Sequence, residues 1–92
     1  MATPFEQITA LLGHPVEDLY GVKVGRVDDL LIDRQNGHIA YLRFVFDVSG
    51  NPGDPRITVP WSAIRFIGNG QHVLQVMVEK EALTRLARAG PG

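Results

Sequence analysis

The sequence predicts a mainly β chain, a small closed antiparallel β-barrel of about six strands with a short helix at each end. Three observations predict it. An Asn36-Gly37 pair separates two long strand-like runs, Gly21 to Asp33 and His38 to Asp47. A pair of this kind between apolar runs is the strongest short-range hairpin signal, because both residues tolerate the positive φ of a tight turn. A second hairpin is expected around Gly68-Asn69-Gly70, between Ile64-Arg65-Phe66-Ile67 and Gln71 to Val78. Finally, strict alternation fails near Gly25, the natural place for the bulge or bend that lets a small sheet curl closed.

Taken in order, Thr3-Pro4-Phe5-Glu6 has the form of a helix start, with Thr3 as cap, Pro4 at the first helical position and Glu6 closing a capping box. A helix over 4–12 then places Phe5, Ile8, Leu11 and Leu12 on one face, and Gly13 ends it in a left-handed conformation. The barrel is expected over about 13–78. Pro15 to Asp18 is a short extended piece, turned by Leu19-Tyr20-Gly21 into the long hairpin. Arg56 to Pro60 alternates, and Pro60, with no N–H, ends its ladder. Trp61-Ser62-Ala63 reads as a single helical turn. From about 79 to 89 the chain returns to helical spacing, with Ala82, Leu83, Leu86 and Ala87 on one stripe and Gly90-Pro91 as the stop.

At 92 residues and 10.1 kDa the chain fits one domain over 1–92 around a single core. A net charge of -1 with 21% charged residues creates no large single-sign field, which argues against non-specific binding to nucleic acid or an anionic membrane. The absence of cysteine excludes a disulfide framework and a thiolate zinc site, and fits a reducing compartment. No apolar run approaches the roughly 18 residues of a membrane span, and no basic segment precedes an apolar block at the start. A cytoplasmic protein with no membrane insertion is expected. The densest group of turn formers, Gly50 to Pro55, is expected to be the most mobile loop.

Parity assigns the core to Val24, Leu30, Ile32, Leu42, Phe44, Ile57, Val59, Trp61 and Val76. Trp61 continues the inward parity of Ile57 and Val59, so it reads as a core plug whose truncation to Ala costs on the order of 3–5 kcal/mol. The outward positions are less ordinary. Ile39, Tyr41 and Val45 on one strand, Val73 and Met77 on another, and Ile67 nearby are apolar where a solvated sheet face is mostly polar. They are the candidate interface residues, covered either by the terminal helices or by a second copy of the chain.

Candidates for chemistry are weaker. Asp28, Asp29 and Asp33 form the dense carboxylate group, which could hold a divalent cation or serve as general acid and base. In a regular strand only Asp29 and Asp33 share a face, and turn hydrogen bonds or charge pairs to Arg26 or Arg34 explain the group more simply. His14, His38 and His72 have no metal-ligand spacing. Ser62 lacks a nucleophile elbow and is expected to cap its local turn, and Gly68-Asn69-Gly70 lacks the helix that follows a phosphate-binding loop. Lys23, Arg26, Arg34, Arg43, Arg56 and Arg65 are scattered among acids, so no basic groove for nucleic acid is apparent.

Leu12-Gly13-His14-Pro15-Val16, Gly25 to Asp33, Gly37-His38-Ile39-Ala40-Tyr41-Leu42 and Val59-Pro60-Trp61-Ser62-Ala63-Ile64 occur in an order and spacing that resemble the PRC-barrel family. The resemblance runs from about Leu11 to Leu86. It implies a compact, mostly antiparallel barrel used for binding and assembly, with no family-wide catalytic residue and no cofactor. The family includes the barrel of the photosynthetic reaction centre H subunit and that of a ribosome maturation factor. The 92 residues contain neither the membrane helix of the first nor the extra N-terminal domain of the second, so neither specific function is expected. The chain looks most like stand-alone bacterial or archaeal members. The expected function is a non-enzymatic protein–protein interaction module forming a homodimer. Alternatives are an RNA-processing or ribosome-associated adaptor, and a divalent-cation-dependent activity at Asp29 and Asp33.

Overall fold

The structure, a computed structural model, describes residues 7–47, 53–67 and 73–88. Within them lie two helices, α1 (Ile8–Leu11) and α2 (Lys80–Arg88). Six strands lie between: β1 (Pro15–Glu17), β2 (Lys23–Ile32), β3 (Ile39–Phe46), β4 (Arg56–Pro60), β5 (Ile64–Ile67) and β6 (Val73–Val76). A single 3₁₀ turn, Trp61–Ala63, joins β4 to β5, in agreement with the helical turn expected there.

All six strands belong to one sheet in the order β4-β3-β2-β1-β6-β5. This corrects the expected all-antiparallel pairing. The β1–β6 pair is parallel, so the sheet is mixed, and among the described residues β4 and β5 are ends that no hydrogen-bonded pairing joins. The parallel pair arises because three-residue β1 is used twice. One side pairs with β2 and the other receives β6, matching Val16 to Leu74 and Glu17 to Gln75. Only the 3₁₀ turn separates the two end strands in sequence, which brings the ends of the sheet together at that corner.

The failed alternation in β2 comes from bulges beside Gly25 rather than at it. Against β1, Val24 is the extra residue between the pairs Val16–Gly25 and Glu17–Lys23. Against β3, Asp28 is the extra residue between Val27–Phe44 and Asp29–Arg43. These insertions let Val24, Val27 and Leu30 all enter the core despite their three-residue spacing. Gly25 has another task. A Cβ there would collide with the Val45 carbonyl oxygen and sit 3.2 Å from the Phe44 ring, so its missing side chain is what lets β2 and β3 approach.

The β2–β3 loop uses positive φ only at Gly37 (+76°); no other residue type among those described adopts it. The loop is therefore wider than a tight two-residue turn. The Asp33 N–H donates to the His38 carbonyl and the Gly37 N–H to the Asp33 carbonyl, both at 2.8 Å.

Val24, Leu30, Leu42, Phe44, Ile57, Val59 and Val76 lie in the core, together with Leu11, Val16, Val27, Phe46, Leu74 and Leu83. Two expected core residues do not. Ile32 is 53% exposed, because the extra residue Ala40 in β3 shifts the pairing at the end of the hairpin. Trp61 is half-buried at the corner, packed against the core from its side and edge-to-face on Phe66 at 5.9 Å. Phe44 and Phe46 fill the centre instead.

The helices dock more narrowly than their spacing predicts. The expected start of α1 at Thr3 to Glu6 lies outside the described residues, and of its stripe Leu11 is buried while Ile8 and Leu12 are about half exposed. One helical turn is too short to present a stripe. Gly13 (φ +80°) ends it as expected and donates its N–H to the Val27 carbonyl. In α2, Leu83 is fully buried and Ala87 packs on the core, but Leu86 is 52% exposed. The expected stop at Gly90-Pro91, the Gly50-to-Pro52 part of the loop expected to be mobile and the turn expected at Gly68-Asn69-Gly70 also lie outside the described residues.

Candidate interaction surface

The core-facing residues of β3 and β4 leave their neighbours on the outer face of the sheet, where the pairing of β2, β3 and β4 sets out three cross-strand rows. Leu31, Tyr41 and Pro60 form an apolar row, with Tyr41 46% exposed. The next row is Asp29, Arg43 and Thr58; the third is Arg26, Val45 and Arg56.

The middle row carries an ion-pair network. Arg43 Nε donates to Asp28 Oδ2 at 2.8 Å, its Nη2 lies 3.3 Å from Asp29 Oδ2, and Arg56 Nε lies 3.3 Å from Asp28 Oδ2. In a regular strand Asp28 and Asp29 would project to opposite faces. The bulge at Asp28 overturns that expectation and turns both carboxylates towards one guanidinium. Such half-exposed pairs contribute little stability, about 0–1 kcal/mol each, so their effect is to fix side chains in place.

The other expected interface residues occupy different ground. Ile39 packs against the core, Val45 is half-buried between Arg26 and Arg56, and Ile67 is 38% exposed on β5. Val73 pairs with Ile67, and its side chain lies outside the described residues. Met77, just after β6, is half-buried, donates its N–H to the Ala63 carbonyl and accepts from Arg65 through its sulfur. Because β2 and β1 stand between β3 and β6, the six positions divide into two groups rather than one strip. Sequence reasoning missed Leu31 and Pro60, which join Tyr41 only through the register of β3 with β2 and β4.

Asp29 and Asp33 are not brought together. Asp29 faces Arg43, while Asp33 sits in the loop, accepting the Gln35 N–H on Oδ1 at 2.8 Å and the Asn36 amide on Oδ2 at 3.4 Å. Turn bonding at Asp33 was the simpler expectation; the charge partners of the other two are Arg43 and Arg56 rather than Arg26 or Arg34. Among the described residues no group of three or more His, Cys, Asp or Glu is placed to hold a metal ion. His72 lies outside the described residues, and Ser62 is exposed in the 3₁₀ turn. None of the described helices is long and apolar enough to cross a membrane.

The family model of the PRC-barrel domain matches residues 4–83. The chain belongs to the PRC-barrel domain family. No curated protein matches it. The matched stretch contains every strand described above and reaches into α2 as far as Leu83.

One buried carboxylate of this PRC-barrel domain was not foreseen. Asp18, 2% exposed, accepts the N–H groups of Tyr20 at 2.8 Å and Val22 at 2.9 Å on Oδ1, and that of Lys80 at 3.1 Å on Oδ2. Lys80 opens α2, so a carboxylate 62 residues away in sequence satisfies one of the unpaired N–H groups at that helix end. Burial alone would push the Asp18 carboxyl up, but the N–H donors of Val22, Tyr20 and Lys80 and the Lys80 charge outweigh it. The net pKa lies below the ordinary 3.8. Around it, Leu19, Tyr20 and Val22 are exposed, Tyr20 by 72%.

Proposed function

We propose that this PRC-barrel domain is a non-catalytic protein–protein interaction module that pairs with a second copy of itself through the outer face of β2–β3–β4. The observation that carries the reading is the apolar Leu31–Tyr41–Pro60 row on a sheet face whose reverse already supplies the core. A solvated face would be polar there. The adjoining row supports an isologous contact, since Asp29 and Arg43 lie side by side and a two-fold axis can set each against its opposite in the other copy. A net charge of -1 offers little repulsion to such pairing. A stable contact of this kind buries about 1,200–2,000 Å² in total. The same reading takes the sheet to be rolled into a barrel, a closure supported by the three-residue link between its end strands.

Light scattering at micromolar concentration tests it. The expected mass is twice the 10.1 kDa of the chain, falling to that of one chain in Tyr41→Glu. A monomer in both proteins overturns the reading, and a dimer unaffected by Tyr41→Glu moves the interface elsewhere.

A further inference from the structure

The β2–β3 loop combines a reactive sequence with a hydrogen-bond arrangement that restrains it. An Asn followed by Gly is prone to intramolecular cyclisation, because Gly has no side chain to hinder attack by its backbone nitrogen. Deprotonated Gly37 N attacks Asn36 Cγ, the N–Cγ bond forms, the Cγ–Nδ2 bond breaks, and ammonia leaves a five-membered succinimide. Water then opens the ring at either carbonyl, giving aspartate or isoaspartate. The net change is amide plus water to acid plus ammonia, with no redox step, and Asn36 is exposed to the water required.

Each group that has to move or lose a proton is engaged. The Gly37 N–H donates to the Asp33 carbonyl at 2.8 Å. Asn36 Oδ1 accepts the His38 N–H at 2.8 Å, and Asn36 Nδ2 donates to Asp33 Oδ2 at 3.4 Å. Asp33 is itself fixed, its N–H on the His38 carbonyl and its Oδ1 on the Gln35 N–H. We infer that Asn36 is a site of spontaneous conversion to aspartate or isoaspartate, and that the Asp33 side chain slows it by holding the turn and the amide under attack, while the backbone carbonyl of the same residue holds the nucleophilic nitrogen. Conversion loosens the loop: a carboxylate at position 36 would face the Asp33 carboxylate across the present Asn36–Asp33 contact and open the turn.

The test is incubation of the full chain at neutral to mildly alkaline pH, followed by trypsin and mass spectrometry of the peptide Gln35 to Arg43. That peptide separates Asn36 from the chain's other Asn-Gly pair, Asn69-Gly70. The mass gain of amide-to-acid exchange and the chromatographic splitting of the two isomers report the reaction. The folded wild type is expected to react more slowly than the synthetic peptide of the same nine residues. In Asp33→Ala the rate should rise about tenfold, as expected when two side-chain hydrogen bonds are lost from a local opening. Asp33→Asn, which keeps an acceptor for the Gln35 N–H, should fall between. Circular dichroism verifies that each variant is folded at the incubation temperature. Asp18→Asn, destabilised far from the loop, separates local from global protection. A folded wild type as fast as the peptide, an Asp33→Ala no faster than wild type, or an equal acceleration in Asp18→Asn would each overturn the inference.

Discussion

Replacing Asp18 with Asn tests whether one buried carboxylate fastens α2 to the sheet. The substitution is nearly isosteric: the remaining carbonyl oxygen can still accept from Tyr20 and Val22, but the amide nitrogen now meets the Lys80 N–H donor to donor. One charge-assisted hydrogen bond contributes about 1.5–3 kcal/mol, and a negative charge at a helix N-terminus about 0.3–1 kcal/mol more. A loss of about 2–3 kcal/mol follows, against the roughly 5–14 kcal/mol expected for a chain of this length. Melting should fall by about 10–20 °C. Urea unfolding followed by the fluorescence of Trp61, the chain's one tryptophan, measures it. The pH dependence is the sharper reading. The native pKa lies below 3.8, so the carboxylate's contribution is complete above that value and is lost as pH falls through the lowered native pKa. The gap between wild type and Asp18→Asn should be constant from about pH 5 to 7 and narrow below about pH 4. Equal stability at pH 7, or a gap that does not shrink in acid, would refute the reasoning.

Other perturbations probe the sheet. Gly25→Ala should lose about 3 kcal/mol in urea unfolding, because the new methyl group meets the Val45 backbone rather than a side chain that can turn away. Phe44→Ala, at 0% exposure, should lose about 3–5 kcal/mol, and Trp61→Ala, half-buried at the corner, only about 2 kcal/mol; the reverse order would mean that Trp61 is the central plug after all. Arg56→Ala should change stability by less than about 1 kcal/mol and leave little salt dependence in the difference, since its side chain is 49% exposed.

Local patterns were legible in the sequence, and pairings distant along the chain were not. Ile57 and Val59 alternate with exposed Arg56 and Thr58 just as a strand with one buried face requires, and Gly13, Gly21 and Gly37 adopt positive φ where turns were expected. The order of strands was not legible. Three-residue β1 has too little length to show a period, and its parallel match to β6 depends on contacts between Val16 and Leu74 that no local rule encodes. Asp28 and Asp29 illustrate the same limit: adjacent residues alternate unless a bulge intervenes, and the bulge exists only relative to β3. Asp18 resembles any loop aspartate until α2 is brought to it. The proposed interface residues were half legible. Tyr41 followed from parity, whereas its row-mates Leu31 and Pro60 required the register.

That register also makes the self-association proposal separable from folding. Tyr41 lies on the face opposite Leu42 and Phe44, which are wholly buried, so the core does not depend on its ring. A glutamate at 41 therefore adds charge to the outer face without opening a cavity. If two copies meet there, the native state is favoured by mass action and the wild-type melting temperature rises with protein concentration, whereas that of Tyr41→Glu does not. At high dilution the two proteins should melt within a few degrees of each other, because surface changes remote from core and caps are worth about 0.5 kcal/mol or less. A variant that melts far below wild type even when both are dilute would place Tyr41 in the fold rather than in an interface, and the apolar row would then be structural.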